Sequence, residues 1–260
     1  MQRIAKPFRV FQPLLRSIKR SSSSASNRFS TPAASSTAPA VTTTPATTRT
    51  MASTTTPGGA DAFLAAIKAR RTFYALNKDL GTITKERIQE IVKEALLHIP
   101  SSFNSQSNRV VVLFGAEHDK FWDFTLEILK GIVPEEQFGA TATRIGGFKA
   151  GAGSILFFED WTVVEGMEKK FAIYADRFGP WAGHSDAMLQ LALWTALEAE
   201  GLGANLQHYN PLVDAKVQEE WKVPASWKLQ AQLVFGGKVV ADAGEKAFGP
   251  IEEKLKVFGA

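Results

Sequence analysis

Ile99-Pro100-Ser101-Ser102-Phe103-Asn104-Ser105-Gln106-Ser107-Asn108-Arg109 is a short polar stretch set between an apolar-periodic segment and an apolar run. On its N-terminal side Ile88, Ile91, Val92, Ala95, Leu96 and Ile99 recur at three- and four-residue intervals, which predicts a helix with one buried face, capped by Thr84. Pro100 ends that helix. On the C-terminal side Val110-Val111-Val112-Leu113-Phe114 reads as a strand buried on both faces. The stretch is therefore a helix-to-strand connection dense in serine hydroxyls and in the amides of Asn104 and Gln106, groups suited to the polar edge of a flat heterocycle. On composition alone an ordinary solvent loop is the commoner explanation, since Ser and Asn are standard loop residues.

Outward from this connection, Asp61 to Thr72 predicts a first helix with Phe63, Leu64 and Ile67 on one face, ending in Arg70-Arg71-Thr72. Paired guanidiniums grip phosphate through forked, charge-assisted hydrogen bonds, but cations also suit a helix C-terminus. A second amphipathic helix is expected from about Glu117 to Ile132, with Phe121, Phe124, Ile128 and Leu129 in the core. Val133 to Gly153 is glycine-rich and reads as a long mobile connection. Its Gly151-Ala152-Gly153 is not a dinucleotide fingerprint, because Leu156 stands where the third glycine belongs. Ser154 to Glu159 reads as an internal strand, leaving through Asp160-Trp161.

An amphipathic helix through Phe171, Ile173 and Tyr174 is followed by the turn Phe178-Gly179-Pro180-Trp181. Ser185 is expected to cap a helix from Asp186 to about Glu200 that is apolar almost all round and needs cover on several sides. Gly201 to Pro211 ends that helix with glycines that let the chain approach a flat ligand. Asp214 to Trp221 is a short surface helix, and Leu229 to Gly236 alternates as a strand with one face better covered. Ile251 to Phe258 alternates apolar with charged residues, as a strand added to a sheet edge would.

Composition narrows the function. Of 260 residues 45% are hydrophobic, enough for a sizeable core. The net charge of +4 misleads, because residues 1–60 carry eight Lys or Arg and no acid, leaving 22 basic against 26 acidic residues beyond. A net-acidic body argues against nucleic-acid binding. The absence of cysteine excludes disulfides, thiolate metal sites and a cysteine nucleophile. His98, His118, His184 and His208 are scattered without metal-ligand spacing. No apolar run approaches the length of a membrane span. Residues 1–25 are basic, amphipathic and acid-free, as a mitochondrial presequence is, with a disordered basic tail the other reading. Residues 26–60 are Ser/Thr/Ala/Pro-rich and too poor in large apolar groups to fold, and Met51-Ala52-Ser53 offers a second start for a cytoplasmic form.

Pro100-Ser101-Ser102 followed by Asn104-Ser105-Gln106 and a Val-rich strand resembles the nitroreductase-type FMN flavoproteins. The likeness is to the short fungal and bacterial branch typified by fatty-acid-repression-mutant proteins, and runs from about Phe63 to the C-terminus. It implies an α+β fold, a mostly antiparallel sheet flanked by helices in residues 61–260, assembled as a homodimer with two FMN sites at the interface. Arg70, Arg71 and Thr72 match the family's phosphate-binding signature, with Thr for Ser, and Lys246 stands where the family has another basic residue. Ser101, Ser102, Asn104 and Gln106 would hold the ribityl chain and ring. The backbone of Leu206, Gln207, His208 and Tyr209 would lie beside flavin N5 and O4, His208 being the acid candidate by type. Phe178, Trp181 and His184 would shape the substrate pocket. The tail after Ile251 would be donated to the partner subunit.

The chain departs from the family at Tyr74, where a basic residue is usual, and at Phe248, where an arginine is. The first departure leaves open which cation faces the charge of reduced flavin. The implied chemistry is ping-pong: NADH or NADPH reduces FMN, which then reduces a nitroaromatic, quinone or similar small aromatic acceptor, with a role in oxidative stress. The cofactor carries the redox step, so no catalytic triad is needed. The alternative is an FMN-binding regulatory protein in lipid or stress signalling with little turnover.

Overall fold

A computed structural model describes residues 59–260. The expected presequence, the Ser/Thr-rich linker up to residue 58 and Met51 lie outside the described residues. Helix α1 spans Gly59–Ala69, β1 Leu76–Asn77, α2 Lys85–His98, β2 Asn108–Phe114, α3 Ala116–Lys130, α4 Glu135–Lys149 and β3 Gly153–Asp160. Then come α5 Trp161–Lys170, α6 Ala175–Ala199, β4 Gly203–Gln207, α7 Asp214–Trp221 and β5 Trp227–Lys238. The sheet runs β1-β5-β3-β2 with β4 also on β5, and every strand pairing is antiparallel. The fold is α+β, as expected.

The sheet is covered on both faces. One layer packs Phe121, Trp122, Phe148 and Val217 against Leu156, Phe158 and Val234. The other packs Ile88, Leu189, Leu193 and Leu197 against Ile155, Phe157 and Leu233. Central β5 is therefore buried on both faces from Ala231 to Gly236, and the better-covered single face expected for it is corrected. Outermost β2 has only Leu113 fully buried, because it ends the strand order, so burial on both sides is corrected too. Thr84 caps α2 as expected, its Oγ1 accepting from the Arg87 N–H at 3.1 Å.

Two expectations fail for physical reasons. The supposed mobile connection after Val133 is mostly helix α4. Glu135 and Glu136 suit its N-terminus, Ile145 and Phe148 are buried, and the Thr143 hydroxyl bonds back to the Gly139 carbonyl at 3.0 Å. Its glycines cost roughly 1 kcal/mol each in helix propensity; packing against α3 overrides them. Second, α6 starts ten residues before Ser185 and passes through Gly179-Pro180. Ser185 is no cap: its hydroxyl donates to the Pro100 carbonyl at 2.9 Å and accepts from Asn108 Nδ2 at 3.0 Å, tying α6 to the polar loop. Within the single chain the tail forms no strand, and Phe248, Ile251, Leu255, Val257 and Phe258 are exposed. No strand of its own sheet receives it. Among the described residues no helix is long and apolar enough to cross a membrane.

Candidate functional site

The polar loop is built to hold an unusual backbone. Phe103, Asn104 and Gln106 all have positive φ, at 55°, 52° and 53°. Three such non-glycine residues in four positions store strain, which concentrates at ligand clamps. Internal bonds hold the shape: Ser101 Oγ accepts from the Gln106 N–H at 2.8 Å, and Arg109 donates to the Gln106 carbonyl at 2.8 Å while pairing with Asp160 at 3.0 Å. The Ser101 hydroxyl thus shapes the loop. Phe103 lies among Phe171, Tyr174, Phe178 and Trp181, with ring centroids 4.7 to 6.2 Å away.

Of the expected pocket residues, Phe178 is buried in this aromatic cluster and Trp181 half-buried beside it. His184 is exposed on α6. Phe178 is thus part of the seat for Phe103 and presents no free face.

Under the loop lies a set of buried polar groups. Ser107, Glu159, Ser185 and Asp186 are each at most 3% exposed. Ser107 Oγ, Asn108 Oδ1 and Asp186 Oδ1 have no hydrogen-bond partner. Burial, with the Asp186 carboxylate adding to it, pushes Glu159 up to about 7. Burial pushes Asp186 up to about 6 against a hydrogen bond from Gln190. A raised carboxyl pKa means that the folded chain holds the proton more tightly than the unfolded one, so stability falls as pH rises from about 4.5 through 7. Glu159→Gln is expected to match wild type at pH 4.5 and to be more stable at pH 8 by roughly 1–2 kcal/mol, read by thermal melts.

The second part of the site gathers around β4. The segment just after α1 reaches it through a parallel bridge between Thr72 and Ala204, reinforced by Phe73 N–H to the Ala204 carbonyl at 3.0 Å. Asn205 Nδ2 donates back to the Phe73 carbonyl at 2.8 Å and Gln207 Nε2 to Asn205 Oδ1 at 2.8 Å. Arg70, Arg71, Thr72, Leu206 and Gln207 therefore form one frame, with His208 exposed at its edge. The strand character of β4 was not read from the sequence.

Arg70 stacks over Trp194 of α6 at 4.4 Å, and its Nε is buried with no hydrogen-bond partner. An orphaned guanidinium N–H beside a second guanidinium fits a phosphate oxygen. Arg71 donates to the Gly244 carbonyl at 2.6 Å, anchoring the segment that carries Lys246. Lys246 itself is exposed, its ammonium 5.4 Å from the Phe248 ring centroid. Beside this frame a cleft of about 550 Å³ is lined by Tyr74, Thr143, Arg144, Gly147, Phe148 and Gln207. The α4 residues of this cleft were missed because their segment read as a connection.

The two parts are anchored at different points on α6. The loop is tied to α6 at Ser185, and Arg70 rests on α6 at Trp194, nine residues or about 13 Å along the axis. Between these anchors α6 leaves Met188 and Leu191 about two-fifths exposed. With Phe63, Ile67 and Pro100 they line an apolar groove of about 480 Å³. The helix α1, expected to bury Phe63 and Leu64, exposes them at 64% and 57%.

Elsewhere, His118 is a satisfied core histidine: its Nδ1 lies 2.9 Å from Ser154 Oγ, and burial pulls its pKa down to about 4. Among the described residues no group of His, Cys, Asp and Glu is arranged to hold a metal.

The nitroreductase family pattern matches residues 67–237. HBN1 of Saccharomyces cerevisiae is 41% identical over 198 residues, covering 75% of this chain and 96% of that protein. The nitroreductase FRM2 of the same yeast is 35% identical over 175 residues, covering 67% of this chain and 86% of that protein. The nitroreductase CinD from Lactococcus lactis, solved with chloramphenicol, superposes with a TM-score of 0.69 at 43% identity, over 75% of this chain and 99% of that one. Its complex with 4-nitrophenol gives 0.68. With the strained polar loop, the arginine pair and the antiparallel sheet in place, the chain belongs to the nitroreductase family.

Proposed function

We propose that the protein is an FMN-dependent oxidoreductase that takes reducing equivalents from NADH or NADPH and passes them, in ping-pong fashion, to nitroaromatic, quinone or similar flat acceptors. The observation that carries the reading is the pairing of a strained, side-chain-rich loop at 101–106 with an arginine pair whose Arg70 Nε is buried and unpartnered. When bound, FMN supplies the hydride-accepting ring. The chain's own work is binding and orientation. Arg70 and Arg71 hold the phosphate, with Lys246 nearby. Ser102, Asn104 and Gln106 would offer their side chains to the ribityl chain and the ring, and main-chain N–H groups from Leu206 to His208 would serve its polar edge, the Tyr209 N–H being already donated to Gln232 Oε1 at 2.8 Å. His208, exposed just beyond β4, would be the acid candidate by residue type.

The separation of the two parts along α6 supports a homodimer in which the loop of one copy completes the site of the other. A two-fold axis over the Met188–Leu191 face would cover the apolar groove and give two equivalent sites. The exposed apolar tail suits a sheet edge of the second copy. CinD's complexes with chloramphenicol and 4-nitrophenol favour nitroaromatic acceptors. Delivery to mitochondria, with a cytoplasmic form from Met51, rests on the sequence of residues 1–51 alone.

Steady-state oxidation of NADH and NADPH, with a nitroarene varied at several fixed nicotinamide concentrations, tests the chemistry. Parallel double-reciprocal lines are expected. Intersecting lines would overturn ping-pong transfer. A yellow protein inert to both nicotinamides would overturn the enzyme and favour the regulatory FMN-binding protein.

A further inference from the structure

The cleft between α4 and the end of β4 holds one charged side chain among its lining residues, Arg144, and no carboxylate. Arg144 is exposed and makes no ion pair or hydrogen bond among the described residues. Its charge reaches Tyr209, where it opposes the rise that burial gives the phenol. Across the same cleft stands Tyr74, 64% exposed, a neutral phenol two positions beyond Thr72. One helical turn beyond Arg144 a Cβ added to Gly147 would meet nothing within 4 Å, so this flank of the cleft is open to a flat ring.

We propose that Arg144 is the electrostatic partner of reduced flavin, supplying from α4 the positive charge that Tyr74 does not supply from the α1–β1 connection. The inference rests on the flavin reading above. Uptake of a hydride delivers two electrons and one proton and so adds one negative charge to the ring system. A lone guanidinium in a cleft without acids stabilises that added charge more than it stabilises the neutral oxidised ring, which is the differential that raises a reduction potential. A guanidinium keeps its charge throughout the working pH range, so any pH dependence of the effect comes from the flavin and not from Arg144. Arg144 acts here as a charge beside the ring and takes no proton.

The two-electron midpoint potential of the FMN-loaded protein, measured by equilibration with a reference dye, tests this. Arg144→Gln is expected to weaken binding of reduced relative to oxidised flavin about tenfold, a shift of about 30 mV to more negative potential. Arg144→Lys should retain most of the wild-type value. Adding Tyr74→Lys to Arg144→Gln should restore the potential, which a purely structural role for Arg144 would not allow. An unshifted potential in Arg144→Gln, or no recovery on adding Tyr74→Lys, overturns the proposal. Weakened binding of an anionic nitroarene at unchanged potential also overturns it and makes Arg144 a substrate contact. Flavin bound with an unshifted potential leaves the flavin reading intact; a protein that takes up no FMN overturns both.

Discussion

Exchanging Arg70 and Arg71 together for alanine is expected to weaken FMN binding by about 3–6 kcal/mol, at about 1.5–3 kcal/mol for each charge-assisted contact. At 1.4 kcal/mol per decade this is a loss of roughly 10²- to 10⁴-fold. The geometry makes Arg70 the more informative of the two. Its guanidinium is oriented by Trp194 at 4.4 Å, and its Nε has no protein partner to lose. Arg71 also supports the Gly244 segment through its bond to that carbonyl, so its removal loosens the chain that bears Lys246. Fluorescence titration of flavin-free protein with FMN measures the loss. Wild-type affinity in the double variant would show that the phosphate lies elsewhere.

Placing charge on the exposed flank of α6 is expected to have an effect of similar size by a different route. Met188→Glu with Leu191→Glu puts two carboxylates into an apolar groove, where an unpaired charge costs several kcal/mol to bury. Neither side chain belongs to the phosphate frame or the polar loop. In the composite-site account the variant becomes monomeric and loses FMN with its second copy, by about 10²-fold or more. A folded monomer that still binds FMN as wild type does would show that each chain holds a complete site. Both positions are about two-fifths exposed in the single chain, so the fold itself should survive.

These two predictions rest on features that stood unequally clear in the sequence. The polar loop was legible because Pro100 breaks an apolar-periodic helix and a Val-rich run follows; its strained backbone was not, since nothing in the residue types demands positive φ at Phe103 or Gln106. Thr84 and the helix from Asp214 to Trp221 followed from local chemistry, a cap and a short amphipathic run. Helix α4 was hidden because glycine and threonine disfavour helix locally, while two buried residues, Ile145 and Phe148, decide the matter through tertiary packing. With α4 went Arg144 and the wall of the cleft beside β4. The early start of α6 was masked by Gly179-Pro180, a pair that reads as a turn, although the aromatic cluster around Phe178 holds the helix through it. Resemblance supplied the phosphate and ring contacts, but only the fold shows that they are anchored at different points along α6, at Ser185 and at Trp194.

Sedimentation velocity of the full-length protein with excess FMN, recorded at once in the protein band and in the visible band of oxidised flavin, tests the shared site most directly. The account predicts that all bound flavin travels at the rate of a dimer, one flavin per chain. Flavin sedimenting with a monomer, or a protein boundary that carries no visible absorbance, would contradict it.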